Sequence, residues 1–341
     1  MNLFTPLYLR SLTLKNRIVV SPMQQYSAIN GIPGNWHLVH LGSRAVGGAG
    51  LILTECTAVS PEGLATLNDV GLWNDEQQEA WKNIVDFVHE QDAKIGVQFW
   101  HSGGKGSLRH PNRRMKPLSA EEGGWTVKSS SATEINGVIP KELTIVEIHE
   151  LTKKFAAAAV RAVEAGFDTI ELHAGHGYLF HQFYSEVINK RQDEYGGSFE
   201  NRIRFLVETV REIRKAIPEI MPLLVRISAV DYIDTPEGWT LEDSIALSSV
   251  LKENGVDYHS FRRRVYQREQ KQSISRLPGT FCCCHKRKDR SSYRCGRHDH
   301  ISTTGRRNHY LRKGRSGRDS QGTFTGSLFC DSCRQGTWSR N

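Results

Sequence analysis

Three things are missing from this chain, and each narrows what it can be. It has no segment resembling a membrane span or a cleavable leader. The start, Met1-Asn-Leu-Phe-Thr-Pro6, lacks both the basic residues and the apolar run of a signal peptide, so a cytoplasmic protein with no membrane partner is expected. It has no GxGxxG, so a separate dinucleotide-binding domain is not expected. Its last quarter, 261–341, contains no alanine, no methionine and only six Ile, Leu or Val. That is too little apolar material for further buried strands and helices.

The net charge of +8 hides the same division. Residues 261–341 hold 20 Lys and Arg against 5 Asp and Glu, whereas 1–260 hold 25 against 32. The difference is +15 in the tail and −7 in the body, which sums to +8. Cys56 is alone in the body and six cysteines lie in the tail.

The body alternates strand and helix signals. Apolar runs at 18–22, 51–55, 94–100, 169–173 and 223–227 read as strands, and Gly255-Val-Asp257 leads into a sixth. Helical spacing separates them at 37–46, 75–90, 145–165, 199–216 and 241–254, with Ala80, Ile84, Phe87 and Val88 as the expected core face of the second helix. Crossovers of this length suit parallel strands, and a repeat of about 40 residues favours an α/β fold closed as a (β/α)8 TIM barrel. The stretch 102–143, poor in apolar residues, is too long for a plain connector and reads as a lid excursion.

Chemistry concentrates in Glu171-Leu-His-Ala-Gly-His-Gly-Tyr178. An apolar strand ends on His173, and a turn of small residues then brings His176 and Tyr178. Two imidazoles and a phenol at the carboxyl end of a parallel strand form a donor cluster for a carbonyl or phenolate oxygen. Arg226 interrupts an otherwise apolar strand, where a cation needs an anionic partner. A structural ion pair is the plain alternative. Gln98, at another strand end, offers both a donor and an acceptor. His37, His40 and Arg44 lie at helical spacing and suit packing or subunit contacts, and His101 suits a strand cap. Tyr195-Gly-Gly-Ser198 reads as a scaffold turn and helix cap.

From Leu3 to about Asp257 the chain resembles the old yellow enzyme family of flavin-dependent ene-reductases, specifically its thermophilic-like NADPH dehydrogenases. The resemblance is carried by Ser21-Pro-Met-Gln-Gln-Tyr26, the stretch from Trp36 to Gly50, Thr54-Glu-Cys-Thr-Ala-Val59, Gln98-Phe-Trp-His-Ser-Gly103, the His173/His176/Tyr178 cluster, the run from Asp193 to Phe205, and Val225-Arg-Ile-Ser-Ala229. It implies FMN as cofactor and NADPH as reductant. It also implies an enone or enal substrate, reduced at its C=C bond, and a homodimer or homotetramer. By the same resemblance Ser21, Pro22, Met23, Cys56, Gln98 and Arg226 contact FMN. His173 and His176 bind the substrate oxygen, Tyr178 protonates the α-carbon, and Tyr26 adds a substrate contact. Gln24 stands where the subgroup commonly has cysteine, and Gly104 where it has arginine.

The family would place its last two phosphate-binding strands in the tail, so the last two βα units are expected to be absent or disrupted in 258–341. Taken literally, Cys282-Cys283-Cys284-His285 with Cys330-Asp-Ser-Cys333 suggests zinc, and the arginine clusters suggest nucleic acid. Neither spacing is persuasive, and a solvated basic tail with no metal and no nucleic-acid partner is the expectation. A reading-frame shift explains the break more economically. With permitted codons, Gly317–Asn341 shifted by one base can read as a strand, a Gly-Arg loop and a helix. The expected consequence for the chain as written is weak or absent FMN binding and an open, unstable barrel. A dienoyl-CoA-type flavin reductase remains the alternative among enzymes, and a zinc or nucleic-acid protein acting through its tail is the alternative outside them.

Overall fold

A computed structural model of the chain describes residues 2–231, 233, 235, 237–262 and 326–328. Six strands, consecutive in sequence, lie side by side in parallel: β1 (Ile18–Val20), β2 (Leu51–Ala58), β3 (Lys94–Trp100), β4 (Thr169–Ala174), β5 (Leu223–Ser228) and β6 (Tyr258–Arg262). Gly326–Leu328 pairs antiparallel to β1 at the far edge. Between the strands run α1 (Asn35–Val46), α2 (Asp75–Glu90), α3 (Ile145–Glu164), α4 (Leu179–Tyr184) with α5 (Phe199–Ala216), and α6 (Leu241–Glu253). This is the α/β order of a (β/α)8 barrel through its sixth strand.

The helices start where side chains can satisfy free backbone donors. Asn74, Thr144, Ser198 and Thr240 accept from the third helical residue of α2, α3, α5 and α6, each cap contributing ~1 kcal/mol. Beneath the barrel an antiparallel hairpin, Leu7–Leu9 with Leu12–Leu14, packs its four buried leucines against Val19, Leu51 and Leu53. That closes the amino-terminal end of the strands with apolar surface and leaves the carboxyl-terminal end for chemistry.

Two expectations need correction. The buried face of α2 is Gln77, Trp81, Ile84, Val85 and Val88, with Ala80 and Phe87 at its margin. Trp81 claims the centre because its indole N–H donates to the Gly71 carbonyl at 3.0 Å, while Phe87 lies over Gly42 of α1, where a Cβ would come within 2.6 Å of the ring. The boundary at 257 is also too early, because β6 runs five residues beyond it and pairs with β5 from Tyr258↔Leu224 to Arg262↔Ser228. The tail's cysteines, its arginine clusters and nearly all of the frame-shifted segment lie outside the described residues.

The 102–143 excursion is built from short 3-10 turns and a two-stranded ribbon, Lys128–Ser129 with Lys141–Glu142. It folds back on the barrel: Gln182 of α4 accepts from Gly104 N–H at 3.0 Å and from Ser129 Oγ at 2.9 Å. Among the described residues no helix is long and apolar enough to cross a membrane, and no group of His, Cys, Asp or Glu is placed to hold a metal.

Candidate active site at the carboxyl ends of the strands

Strand register brings the expected residues together. Cys56 on β2 faces Gln98 on β3, Gln98 faces Glu171 on β4, and His173 faces Arg226 on β5. These four strands therefore present Cys56, Gln98, His173 and Arg226 to one side of the barrel mouth. The Ser21–Tyr26 segment follows β1 half-buried beside them.

The turn after β4 depends on glycine. A Cβ at Gly175 would approach Ser228 N to 2.9 Å, and His176 then adopts a left-handed φ of 59°. Ser228 Oγ accepts from His176 N–H at 2.8 Å, pinning the turn to β5. His173 Nδ1 accepts from Gly175 N–H at 3.2 Å, so a neutral His173 carries its proton on Nε2. That nitrogen lies 2.7 Å from His176 Nδ1, with the rings perpendicular at 89°. The chain of donors thus runs from His173 to His176 and places the second proton on His176 Nε2. Two parallel donors to one oxygen were expected. Here the imidazoles are linked in series, because the Gly175 turn aims one ring at the other.

Tyr178 caps α4 and packs edge-on against Trp100 at 4.5 Å and His173 at 5.2 Å. Lys105 was not anticipated. Its Nζ donates to the His176 carbonyl at 2.7 Å and stands 5.4 Å from the centre of the Tyr178 ring. Burial lowers its pKa to about 8. Gly103-Gly-Lys105 carried no catalytic pattern; only its place just after β3 pointed to the site.

Tyr26 sits in a left-handed conformation, φ 52°, and its carbonyl is 3.2 Å from His110 Nε2. Burial and then the nearby Asp69 push its phenol up to about 12, so it is a neutral hydrogen-bonding group at ordinary pH. Gln24, where a cysteine was expected, donates to Asp69 Oδ1 at 2.8 Å. Glu55 holds the same segment, accepting from Gln25 N–H at 2.8 Å while His37 Nε2 stands 3.1 Å from its other oxygen. His37 is therefore a packing residue supporting the site. At position 104 an arginine side chain would start against Ile135, since even a Cβ would meet its Cδ1 at 2.7 Å.

His101, at the end of β3, is 2% exposed and accepts from Gly103 N–H at 3.0 Å. Burial lowers its pKa from 6.5 to about 4, with Glu62 opposing the shift. Below pH 6.5 the unfolded chain takes up a proton that the folded one refuses until about pH 4. Stability present above pH 6.5 is therefore lost as pH falls through that window, by on the order of 3 kcal/mol. His101→Asn keeps an acceptor for Gly103 and should flatten this part of the acid loss. Thermal melts of both proteins between neutral and mildly acidic pH check it, and unchanged slopes would refute it.

With this geometry in view, the comparisons are direct. The profile of the NADH:flavin oxidoreductase / NADH oxidase family matches residues 2–309. The chain belongs to that family. Within it, the chain is 47% identical over 268 residues to NADH:flavin oxidoreductase FG08077 of Gibberella zeae, covering 74% of this chain and 65% of that protein. It spans, then, just under two thirds of that relative's length. It is 43% identical over 257 residues to the NADPH dehydrogenase of Bacillus subtilis, covering 75% and 71%. Among solved structures, morphinone reductase in complex with tetrahydroNAD is similar with a TM-score of 0.66 and 30% identity, over 76% of this chain and 73% of that one. The family match continues past residue 257, into the segment whose composition departs from the body.

Proposed function

We propose that the chain is an FMN-dependent NAD(P)H oxidoreductase of the old yellow enzyme kind, reducing the C=C bond of small α,β-unsaturated carbonyl compounds. The observation that carries this reading is the convergence of Gln98, Arg226, His173, His176 and Tyr178 at the carboxyl ends of β3, β4 and β5. The donor set fits a flavin. Arg226 is half-buried on β5, and its charge acts on the buried Glu171 and Cys56. A cation so placed favours an electron-rich ring edge beside it. Gln98 adds an amide with both donor and acceptor ends. Ser21, Pro22, Met23 and Cys56 complete the wall on the β1–β2 side.

Bound flavin would supply the hydride for the substrate β-carbon. The rest is done by side chains of this chain. His176 Nε2, with its proton fixed there by His173, donates to the carbonyl oxygen and stabilises negative charge as it develops. Tyr178 gives its phenolic proton to the α-carbon, and Lys105 beside the ring eases formation of the phenolate. Tyr26 borders the same space as a further donor to substrate. A homodimer or homotetramer is proposed by family analogy alone.

The test uses the full chain incubated with FMN. Anaerobic NADPH should bleach the flavin band, and cyclohexenone should restore it with cyclohexanone as product. Retention of FMN is expected to be weak, as inferred from the tail, so the cofactor is supplied in excess. Failure of FMN to bind at any concentration would sink the reading. A dienoyl-CoA-type activity would appear instead as restoration by a dienoyl-CoA thioester and not by cyclohexenone.

A further inference from the structure

Glu171 is a buried acid on a barrel strand that the proposed chemistry does not use. It lies on β4 two residues before His173, is 1% exposed, and joins three strands. Its Oε1 accepts from Gln98 Nε2 at 2.6 Å, and its Oε2 accepts from Ser260 Oγ at 2.9 Å. Gln98 belongs to β3 and Ser260 to β6, so the carboxylate spans the interior past β5. A buried carboxylate in mid-strand loses its hydration, a cost that an apolar residue of similar size would avoid. A plain cross-link between strands could be made by an amide.

A carboxylate oxygen, unlike an amide, can accept without presenting a competing NH2. The end of Gln98 that faces Glu171 is its NH2, which donates to Oε1. The carbonyl end then faces β2, where Cys56 Sγ–H donates to Oε1 at 3.1 Å. Burial pushes the Glu171 carboxyl up, and Arg226 on the neighbouring strand, Ser260 and Gln98 oppose that shift. Fixed in this way, Gln98 keeps one N–H and one lone pair for a ligand at the barrel mouth. Their left–right order is set before any ligand arrives.

We infer that Glu171 is a positioning residue for the flavin, holding the Gln98 amide in the single rotation that matches the donor and acceptor order of the isoalloxazine pyrimidine edge. This rests on the flavin reading above. It adds that preorganisation of Gln98 comes from a carboxylate outside the expected contact set. Without the carboxylate the amide has two near-equivalent rotations, and binding must select one of them.

The test is a double-mutant cycle on FMN affinity in the full chain, measured by ultrafiltration over micromolar to millimolar FMN, with melting curves as a check on folding. Glu171→Gln should weaken FMN by about tenfold. In a Gln98→Ala background the same change should alter affinity less than about twofold, because the residue it acts through is gone. Ser260→Ala, a milder change, should show the same pattern at about threefold, and it decides the matter if Glu171→Gln does not fold. Equal losses in both backgrounds would mean a general structural role and would overturn the inference while leaving the flavin reading intact. No FMN binding by the unmutated chain would overturn the flavin reading itself, and the inference with it.

Discussion

Tyr178→Phe should slow reduction of an enone by a factor of about 10² to 10⁴ while leaving reduction of the flavin by NADPH within about threefold of the parent. The asymmetry follows from position. Phenylalanine preserves the edge-on packing against Trp100 and His173 and the start of α4, so the only loss is the hydroxyl. A proton is needed at the α-carbon in the oxidative half-reaction alone. Lys105 sharpens the expectation, because its ammonium beside the ring stabilises the phenolate that proton transfer leaves behind. Stopped-flow measurement of the two half-reactions separates these effects. A fall in enone reduction of less than about tenfold would show that water or another group delivers the proton.

The strand order of the barrel could be read from the chain because each buried strand is a short apolar run set off by turn residues, and α2, α3, α5 and α6 each have a capping side chain and an apolar stripe. Leu51–Ala58 extends three residues and Leu223–Ser228 one residue beyond their apolar runs, since Cys56 and Ser228 belong to the ladder through backbone bonds that side-chain hydropathy does not report. His173, His176 and Tyr178 were visible because histidine and tyrosine are uncommon at the end of an apolar run. Lys105, Glu171 and Ser260 were not, and for a common reason. Each acts through a partner far off in sequence: the His176 carbonyl for Lys105, Gln98 for Glu171, and Glu171 itself for Ser260. Spacing along one segment carries no trace of such pairs. The serial hydrogen bond between the two histidines was hidden as well, because it depends on the left-handed turn at His176 rather than on the three-residue separation.

That serial bond makes the two histidines unequal, which leads to the second large effect. His176→Ala should lower kcat/KM for an enone by about 10² to 10³, the usual result of removing a donor aimed at a developing oxyanion. His173→Ala should lower it less, by about 10- to 100-fold, since His176 remains but is free to take either tautomer. The double variant should then be little worse than His176→Ala alone, because His173 acts through the proton it fixes on its neighbour. His173→Gln makes the comparison stricter. Its amide N–H can take the place of the imidazole Nε2–H, and recovery of activity would show that a donor toward His176 Nδ1 is what matters. If instead the two alanine variants lose activity equally and their effects multiply in the double, each imidazole grips the oxygen independently. The 2.7 Å contact between them would then have to open when substrate binds.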